Sequence, residues 1–171
     1  MRLRIREGSI ESEIGTLAIG RRGVLLVAEW VVGKADPPVF DASDAAVERL
    51  AAAYARYFRG NMDAFARLGM GEGTRFQCRV WGACRDIPPG ETRTYGWIAK
   101  ELRLGTAHCR AIGNALRVNP LPVLVPCHRV VSASGLGGYA GETSGAMTDI
   151  KCRLLAFEAA VRHSGASHHG A

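Results

Sequence analysis

The stretch Leu121-Pro122-Val123-Leu124-Val125-Pro126-Cys127-His128-Arg129-Val130 joins an apolar run to a cysteine that lies beside a histidine. The run is short, branched and closed by Pro126, which predicts a buried strand that ends there. Cys127 would then lie where a strand breaks into a turn, a place from which a side chain can reach a cleft. Nearby positive charge or a basic partner favours the nucleophilic thiolate, and His128 and Arg129 offer both. A Cys-His dipeptide alone is nevertheless more typical of a buried structural cysteine.

Composition limits the class of protein. The chain has 171 residues, 47% of them hydrophobic, which suits one large domain or two small ones. Residues 1–6 lack the apolar segment of a signal peptide, and no stretch is long and apolar enough to span a membrane. The five cysteines form no Cys-x-x-Cys pair. We therefore expect a cytoplasmic protein with reduced thiols, no membrane partner, no metal and no cofactor.

The net charge of +6 is unevenly distributed along the chain. Residues 1–70 contain ten Lys and Arg against nine Asp and Glu, whereas residues 71–171 contain twelve against seven. An excess of positive charge in one half is typical of a surface that binds nucleic acid. An ordinary basic surface would have the same composition, so charge alone does not distinguish the two.

The N-terminal half has the pattern of a small α+β domain. Two strand-like runs, Ile14–Ile19 and Val24–Trp30, flank the turn signal at residues 20–23. Apolar residues then recur at helical spacing from about Ala42 to Arg59, which predicts a helix. Nothing in this half forms a catalytic constellation.

The C-terminal half contains the pattern of a helix-turn-helix. A helix is predicted from about Tyr95 to Leu102 with Thr94 as its N-cap, and Thr106 is predicted to cap the next helix after a glycine turn. The inner positions of that next helix are Ala111, Ile112, Ala115 and Leu116, and its outer positions are His108, Arg110, Asn114 and Arg117. The basic outer face suits DNA, although many helical hairpins bind nothing.

The last predicted helix places a carboxylate on its apolar side. Leu154, Leu155, Glu158 and Val161 fall on one stripe, so Glu158 needs a partner if it is buried. Arg162 at i+4 would be an ordinary helix-edge partner. His128 would be a functional one, because a carboxylate can hold and polarise an imidazole. Spacing does not decide between them.

These segments together resemble the methylated-DNA–protein-cysteine methyltransferases, the O6-alkylguanine-DNA alkyltransferases. The resemblance covers Thr74 to Glu158, about half of the chain. The matching segments are residues 76–81, 89–92, 94–95, 110–115, 119–120, 125–131, 138–141 and 151–158. The resemblance implies an α+β fold in which the N-terminal domain is a small ribonuclease H-like sheet plus a helix. The C-terminal domain would be mostly helical, with a winged-helix-like helix-turn-helix. The expected domains are residues 1–70 and 71–163, with a flexible tail at 164–171.

The resemblance also implies catalytic roles. Cys127 would accept the alkyl group, His128 would act as a base through a water, and Glu158 would orient His128. Asn119 would brace the turn, and Tyr95 would donate a proton toward the guanine ring.

A second set of residues would bind the base and the DNA. Tyr139 and the backbone at Val130 and Ala140 would line the base pocket, and Arg110 would enter the duplex in place of the extruded nucleotide. The other DNA-binding positions would be Thr106, Ala111, Gly113 and Arg117. The helix would lie in the minor groove of double-stranded DNA, and the protein would be a monomer.

The implied function is DNA repair by irreversible, stoichiometric transfer of a methyl or other alkyl group from O6 of guanine, with O4 of thymine as a second position. Such a suicide methyltransferase acts once per molecule. The alternatives are a lesion-binding protein of the alkyltransferase-like type, a helix-turn-helix regulator and a Cys-His hydrolase. Two departures stand out: residues 142–146 lengthen the loop before Lys151, and no cysteine or histidine precedes Cys78 to form an N-terminal zinc site.

Overall fold

Four short strands near the N-terminus pair in sequence order into one antiparallel sheet in the computed structural model, which describes residues 3–6, 8–33 and 44–166. The strands are β1 (Leu3–Arg6), β2 (Ser9–Ser12), β3 (Thr16–Arg22) and β4 (Leu25–Val31). The predicted hairpin is confirmed as β3 and β4, but the residues between them are only Gly23 and Val24. Residues 20–22 therefore belong to β3, and the turn is tighter than expected because Gly23 adopts a φ of 63°.

Helix α1 (Ala45–Phe58) packs against β2 and β3. Asp44 is its N-cap, and the Asp44 carboxylate accepts hydrogen bonds from the backbone N–H groups of Ala46 and Val47 at 2.6 and 3.0 Å. Asp44 also pairs with Arg21 of β3. The helix was expected to begin near Ala42, a residue that lies outside the described part of the chain.

The apolar run before Cys127 is buried as predicted, but it is not a strand. Val123 has a φ of 73°, so the chain turns in the middle of the run. Prolines at 120, 122 and 126 remove the N–H donors that a strand would need. The Pro120 carbonyl accepts from Ala28 N–H at 2.8 Å, and the Pro122 carbonyl accepts from the Tyr54 hydroxyl at 2.6 Å.

These contacts explain how the chain divides. One unit comprises Met1–Glu72 together with Pro120–Leu124, and the other comprises Gly73–Asn119 and Val125–Ala171. Pro120–Leu124 fall within the predicted second domain, 71–163, but these five residues belong to the first unit, where Leu121, Val123 and Leu124 are buried.

The second unit contains three short helices that pack on one another: α2 (Arg75–Arg85), α3 (Tyr95–Glu101) and α4 (Cys109–Arg117). Thr74 caps α2 through a capping box with Gln77. Thr94 caps α3 as predicted, because its hydroxyl accepts from Trp97 N–H at 3.1 Å. The buried indole of Trp81 on α2 donates to the Ala115 carbonyl of α4 at 2.9 Å.

Two details of the helix-turn-helix differ from the sequence prediction. Thr106 does not cap α4 with its side chain, because it begins a separate 3-10 turn, Thr106–His108, and α4 then starts at Cys109. Ala111 is exposed rather than buried, whereas Ile112, Ala115 and Leu116 are buried as predicted.

The remaining elements of this unit surround the Cys-His segment. A second 3-10 turn, Cys127–Arg129, leads into β6 (Val130–Val131), which pairs in parallel with β5 (Arg93–Thr94). Helix α5 (Ala146–Ala166) contacts the 3-10 turn. It extends into the predicted tail, since residues 164–166 are helical and residues 167–171 are not described. Among the described residues, no helix combines the length and hydropathy needed to cross a membrane.

Candidate active site

Cys127 is held in a tight reversal of the backbone. Its N–H donates to the Val125 carbonyl at 2.8 Å, and Arg129 N–H donates to the Pro126 carbonyl at 2.9 Å. The Asn119 amide braces the same turn: Nδ2 lies 2.9 Å from the Val125 carbonyl oxygen and 3.4 Å from Cys127 Sγ. The half-buried thiol therefore has a fixed position, with the Asn119 amide directed at the sulfur.

A cavity of about 260 Å³ opens beside this thiol. Its walls come from the start of α3, from α4 and from the loop before α5. The lining residues are Tyr95, Gly113, Asn114, Leu116, Arg117, Cys127 and residues 138–143. The structure thus brings the predicted residues Tyr95, Tyr139 and Ala140, together with Gly113 and Arg117 of the predicted DNA-binding set, to one cavity with Cys127.

The loop over this cavity is shaped by a turn at Tyr139–Glu142. The backbones of Tyr139 and Glu142 exchange two hydrogen bonds of 2.7 and 2.9 Å. Ala140 and Gly141 between them have φ values of 51° and 95°, the signature of a type I′ turn. A Cβ added to Gly138 would lie only 2.7 Å from the Glu142 carbonyl oxygen. The loop therefore needs glycine at position 138.

Behind the thiol lies a buried cluster of three ionisable side chains. His128 and Glu158 are each 0% exposed, and His128 Nε2 lies 2.9 Å from Glu158 Oε1. Arg129 donates to the same carboxylate from Nε at 2.9 Å and from Nη2 at 2.7 Å. Gly90 N–H adds a contact of 3.0 Å to Oε2. Of the two partners considered for Glu158, His128 is bonded to it, while Arg162 lies 3.4 Å from Glu91.

These contacts set the charges of the cluster. Burial would raise the pKa of Glu158, but the hydrogen bonds and charges of His128 and Arg129 hold it far below its usual range. Burial lowers the pKa of His128 despite the opposing effect of Glu158, so the imidazole is neutral near pH 7. With Nε2 donating to Glu158, the lone pair of the neutral ring lies on Nδ1, which is buried without a hydrogen-bond partner among the described residues.

The pKa of the Cys127 thiol is raised chiefly by burial. Hydrogen bonding from Asn119, the charge of Lys151 and hydrogen bonding from Tyr139 oppose this rise. Burial also raises the pKa of the Tyr95 phenol, which remains protonated and able to donate.

The predicted DNA-binding residues lie mainly on the exposed face of the helix-turn-helix. Thr106, Arg110, Ala111 and Arg117 are exposed, and Gly113 is half-buried in the cavity wall. Val130, predicted to line the pocket, is buried and is not part of the lining. Its carbonyl accepts a hydrogen bond from Lys151 Nζ at 2.7 Å.

A family model and individual relatives of this chain point to the same protein family. Residues 75–160 match the family described as 6-O-methylguanine DNA methyltransferase, DNA binding domain. A methylated-DNA–protein-cysteine methyltransferase of Mycolicibacterium paratuberculosis is 40% identical over 168 residues, which cover 93% of this chain and 94% of that protein. The chain belongs to the methylated-DNA–protein-cysteine methyltransferase family.

Other members of this family match over different lengths. The Methanosarcina acetivorans protein of the same name is 49% identical over 103 residues, but the match spans only 60% of this chain and 62% of that protein. The crystal structure of Mycobacterium tuberculosis OGT in complex with DNA has a TM-score of 0.65 and 33% identity, covering 90% of this chain and 92% of that one.

Two residues of this methyltransferase-family site were not identified from the sequence. Lys151 is fully buried, and its position on one stripe with Leu154 and Glu158 could have revealed it. Arg129 was considered only as a positive charge near Cys127, not as a partner of Glu158, which lies 29 residues away in the chain. Among the described residues, no group of three or more His, Cys, Asp and Glu side chains is arranged to hold a metal ion.

Proposed function

We propose that this chain repairs DNA by direct reversal, moving an alkyl group from O6 of guanine, or from O4 of thymine, to Sγ of Cys127. The observation that carries the proposal is the position of Cys127 at a cavity of about 260 Å³, next to a buried neutral imidazole. That size suits a single flipped-out base better than a polymer strand. Family membership supports the same reaction.

The proton of the thiol would leave through His128. Glu158 fixes the ring so that Nδ1 carries the lone pair, and a water between Sγ and Nδ1 would relay the proton. Arg129 balances the charge of Glu158, which stays ionised and stabilises the imidazolium that forms. Asn119 would remain directed at the sulfur as negative charge develops there.

Transfer itself forms one bond and breaks one bond. Sγ attacks the alkyl carbon, the carbon–O6 bond breaks, and its electron pair passes into the guanine ring. Tyr95 would donate a proton to the ring, which makes guanine a better leaving group. The product thioether has no route back to a thiol at this site, so each molecule acts once.

Access to O6 would require the base to leave the duplex, at a cost of a few kcal/mol that is smallest for a poorly paired base. Arg110 is exposed on α4 and would fill the vacated position, while Arg117 lies at the cavity wall. Thr106, Ala111 and Gly113 would lie near the DNA backbone. The small side chains of α4 suit the minor groove, where damage can be found in any sequence.

The domain folds, the localisation and the oligomeric state are inferred from family membership and from the needs of the reaction. We infer a ribonuclease H-like N-terminal unit and a winged-helix-like C-terminal unit, joined near residue 70, with a short tail at the C-terminus. We also infer that the protein acts as a cytoplasmic monomer, without cofactor or metal, because the reaction needs only a reduced thiol and a proton relay.

Mass spectrometry tests the proposal. Incubation with duplex DNA that contains O6-methylguanine should add one methyl group to the peptide bearing Cys127, at one equivalent per protein. A Cys152→Ala variant, which lacks an exposed thiol on α5, should react as wild type does. Binding to the lesion without any adduct would instead indicate a lesion-binding protein. An adduct that persists in Cys127→Ala would place the acceptor elsewhere.

A further inference from the structure

The segment that lengthens the loop before α5 places a carboxylate at the rim of the cavity. Glu142 and Thr143 both line the cavity together with Cys127, and Glu142 is exposed. The two backbone hydrogen bonds between Tyr139 and Glu142 fix where Glu142 leaves the turn. An exposed glutamate is ionised at pH 7. The cavity therefore has a negative charge at its opening to solvent, on the same lining that includes the thiol.

The carboxylate of Glu142 is not neutralised within the described part of the protein. A Cβ built at Gly145 would lie 3.6 Å from Glu142 Oε2, so the carboxylate lies beside the backbone of its own loop. Arg117 of α4 is the other charged residue of the cavity lining. The aliphatic part of Arg117 crosses the same turn, because a Cβ built at Gly141 would lie 3.0 Å from Arg117 Cδ. Neither Arg117 nor Glu142 forms an ion pair with a described residue, so both charges are available to a ligand.

The proposed reaction directs part of a large adduct toward this rim. The alkyl carbon must reach Cys127 Sγ, and the guanine ring must lie beside the donor Tyr95. Atoms beyond the first carbon then have to occupy the rest of the cavity, whose remaining walls are α4 and residues 138–143. A cavity of about 260 Å³ is comparable in width with the Debye length in physiological salt, about 8 Å, so a charge on one wall acts on a charge anywhere inside it.

We propose that Glu142 is a specificity-determining residue: it disfavours the approach of anionic alkyl groups, such as carboxymethyl, to Cys127 relative to neutral groups of the same size. The proposal rests on the proposed function, because it assumes that alkyl groups are delivered to Cys127. The step is the same as for methyl: Sγ bonds to the methylene carbon, and the carbon–O6 bond breaks with its electron pair passing into the guanine ring. On DNA, Arg117 would face phosphate groups, so its charge would not cancel that of Glu142.

Two duplexes of equal adduct size test the selection on DNA. One contains O6-carboxymethylguanine, and the other contains its neutral amide, O6-carbamoylmethylguanine. The ratio of the two transfer rates is measured within each variant, so a change in DNA affinity cancels. Glu142→Gln should raise the carboxymethyl rate relative to the amide by about twofold or more, the effect of removing one like charge about 8 Å away in a medium close to water. Glu101→Gln, which removes an exposed carboxylate from α3 outside the cavity, should leave the ratio unchanged. An unchanged ratio in Glu142→Gln, or an equal change in both variants, would overturn the proposal.

The same charge can be measured at the thiol without DNA. Iodoacetate is anionic and iodoacetamide is neutral, and each transfers its group to Cys127 Sγ with loss of iodide. The ratio of the two labelling rates of the Cys127 peptide is insensitive to the ionisation of the thiol, which affects both reagents equally. Glu142→Gln should raise the iodoacetate rate relative to iodoacetamide by about twofold or more, and Glu142→Lys should raise it further because the charge is reversed. A labelling ratio equal to that of wild type in both variants would contradict the proposal.

The two proposals can fail separately. If wild-type protein takes no alkyl group from DNA but Glu142→Gln shows the expected labelling ratio, the proposed function fails and the selection against anionic groups at Cys127 stands. If methyl transfer from DNA occurs and neither ratio changes in Glu142→Gln, only the role of Glu142 fails. A changed labelling ratio with an unchanged duplex ratio would also overturn that role, because the adduct on DNA would then not pass the carboxylate.

Discussion

Arg129 and Glu158 form a buried ion pair whose two shortest contacts are Nε to Oε2 at 2.9 Å and Nη2 to Oε1 at 2.7 Å. The third guanidinium nitrogen, Nη1, donates to the Ile87 carbonyl at 2.6 Å. The fork geometry fixes the carboxylate in the orientation in which Oε1 also meets His128. The pair therefore links the stability of the unit to the orientation of the imidazole.

Replacing Arg129 should be strongly destabilising. In Arg129→Met, the carboxylate of Glu158 would stay buried without its cation, and the free energy of unfolding should fall by about 3–5 kcal/mol. Urea denaturation measures this change. The control is Arg162→Met, which removes an exposed guanidinium 3.4 Å from Glu91 and should change stability by no more than about 1 kcal/mol. Equal losses in the two variants would show that burial of the pair is unimportant.

Stability should fall as the solution becomes acidic. The folded protein lowers the pKa of His128, so below about pH 6.5 the unfolded chain binds a proton that the folded protein does not. The pKa of Glu158 is also lowered, which adds a second loss below about pH 4.3. Urea midpoints at pH 7, 6 and 5 should decrease in the wild type and decrease less in His128→Asn. Parallel curves would contradict the assignment of His128 as a buried neutral imidazole.

Asn119 should control the reactivity of Cys127. Asn119→Ala removes the donor 3.4 Å from Sγ, so the pKa of the thiol should rise further and iodoacetamide labelling of Cys127 at pH 7 should slow. The loss of the bond to Val125 should also lower stability by about 1–2 kcal/mol. Asn61→Ala, which removes a side-chain bond to Asp63 N–H, is the matched control and should leave labelling unchanged. Unchanged labelling in Asn119→Ala would mean that its amide does not act on the sulfur.

Substitution by alanine should be harmful at Gly138 and favourable at Gly82. At Gly138 the new methyl group would lie 2.7 Å from the Glu142 carbonyl oxygen, so the cavity loop must shift and methyl transfer should slow by tenfold or more. At Gly82, within α2, no atom beyond the neighbouring residues and the local helix backbone lies within 4 Å of the added Cβ. Gly82→Ala should raise stability by about 0.5–1 kcal/mol and leave transfer intact. Normal transfer by Gly138→Ala would show that the loop tolerates the shift.

Arg110 should matter for duplex DNA but not for a free base. Arg110→Ala should slow methyl transfer from O6-methylguanine in a duplex, because the vacated stack is left unfilled. Transfer from the free base O6-benzylguanine needs no base flipping and should be affected less. Arg79→Ala, which removes an exposed arginine of α2 that bonds the Leu102 carbonyl, is a control for loss of charge in the same unit. Equal losses with both substrates would exclude a role of Arg110 in flipping.

Local signals predicted much of the fold. Thr94 and the glycine turn located α3, and the apolar spacing of Ile112, Ala115 and Leu116 located α4. The strand prediction for residues 121–125 was wrong because a short apolar run is compatible with any buried conformation. What decides its shape is the set of partners for its carbonyl groups, and these come from Ala28 and Tyr54, far away in the sequence.

The site was predictable to a similar degree. The candidate nucleophile Cys127 and the candidate base His128 are neighbours in the sequence, so the dipeptide itself indicated both. Helical spacing placed Glu158 on a buried face. The ion pair of Arg129 with Glu158 and the hydrogen bonds from Lys151 Nζ to three backbone carbonyl groups are tertiary contacts that no sequence spacing encodes. Thr106 was predicted as a cap because threonine suits that position, but the 3-10 turn leaves the cap position to His108, whose side chain does not cap α4.

The membership of Pro120–Leu124 in the first unit has a consequence for synthesis on the ribosome. The core that includes Leu50 and Tyr54 is incomplete until Leu124 has left the exit tunnel, 52 residues after Glu72. At roughly 5–20 residues per second, that delay lasts several seconds. During this time Gly73–Asn119 emerges and can begin to fold first. The first unit therefore cannot complete its core until much of the second has been synthesised, and the second in turn waits for Val125–Ala171.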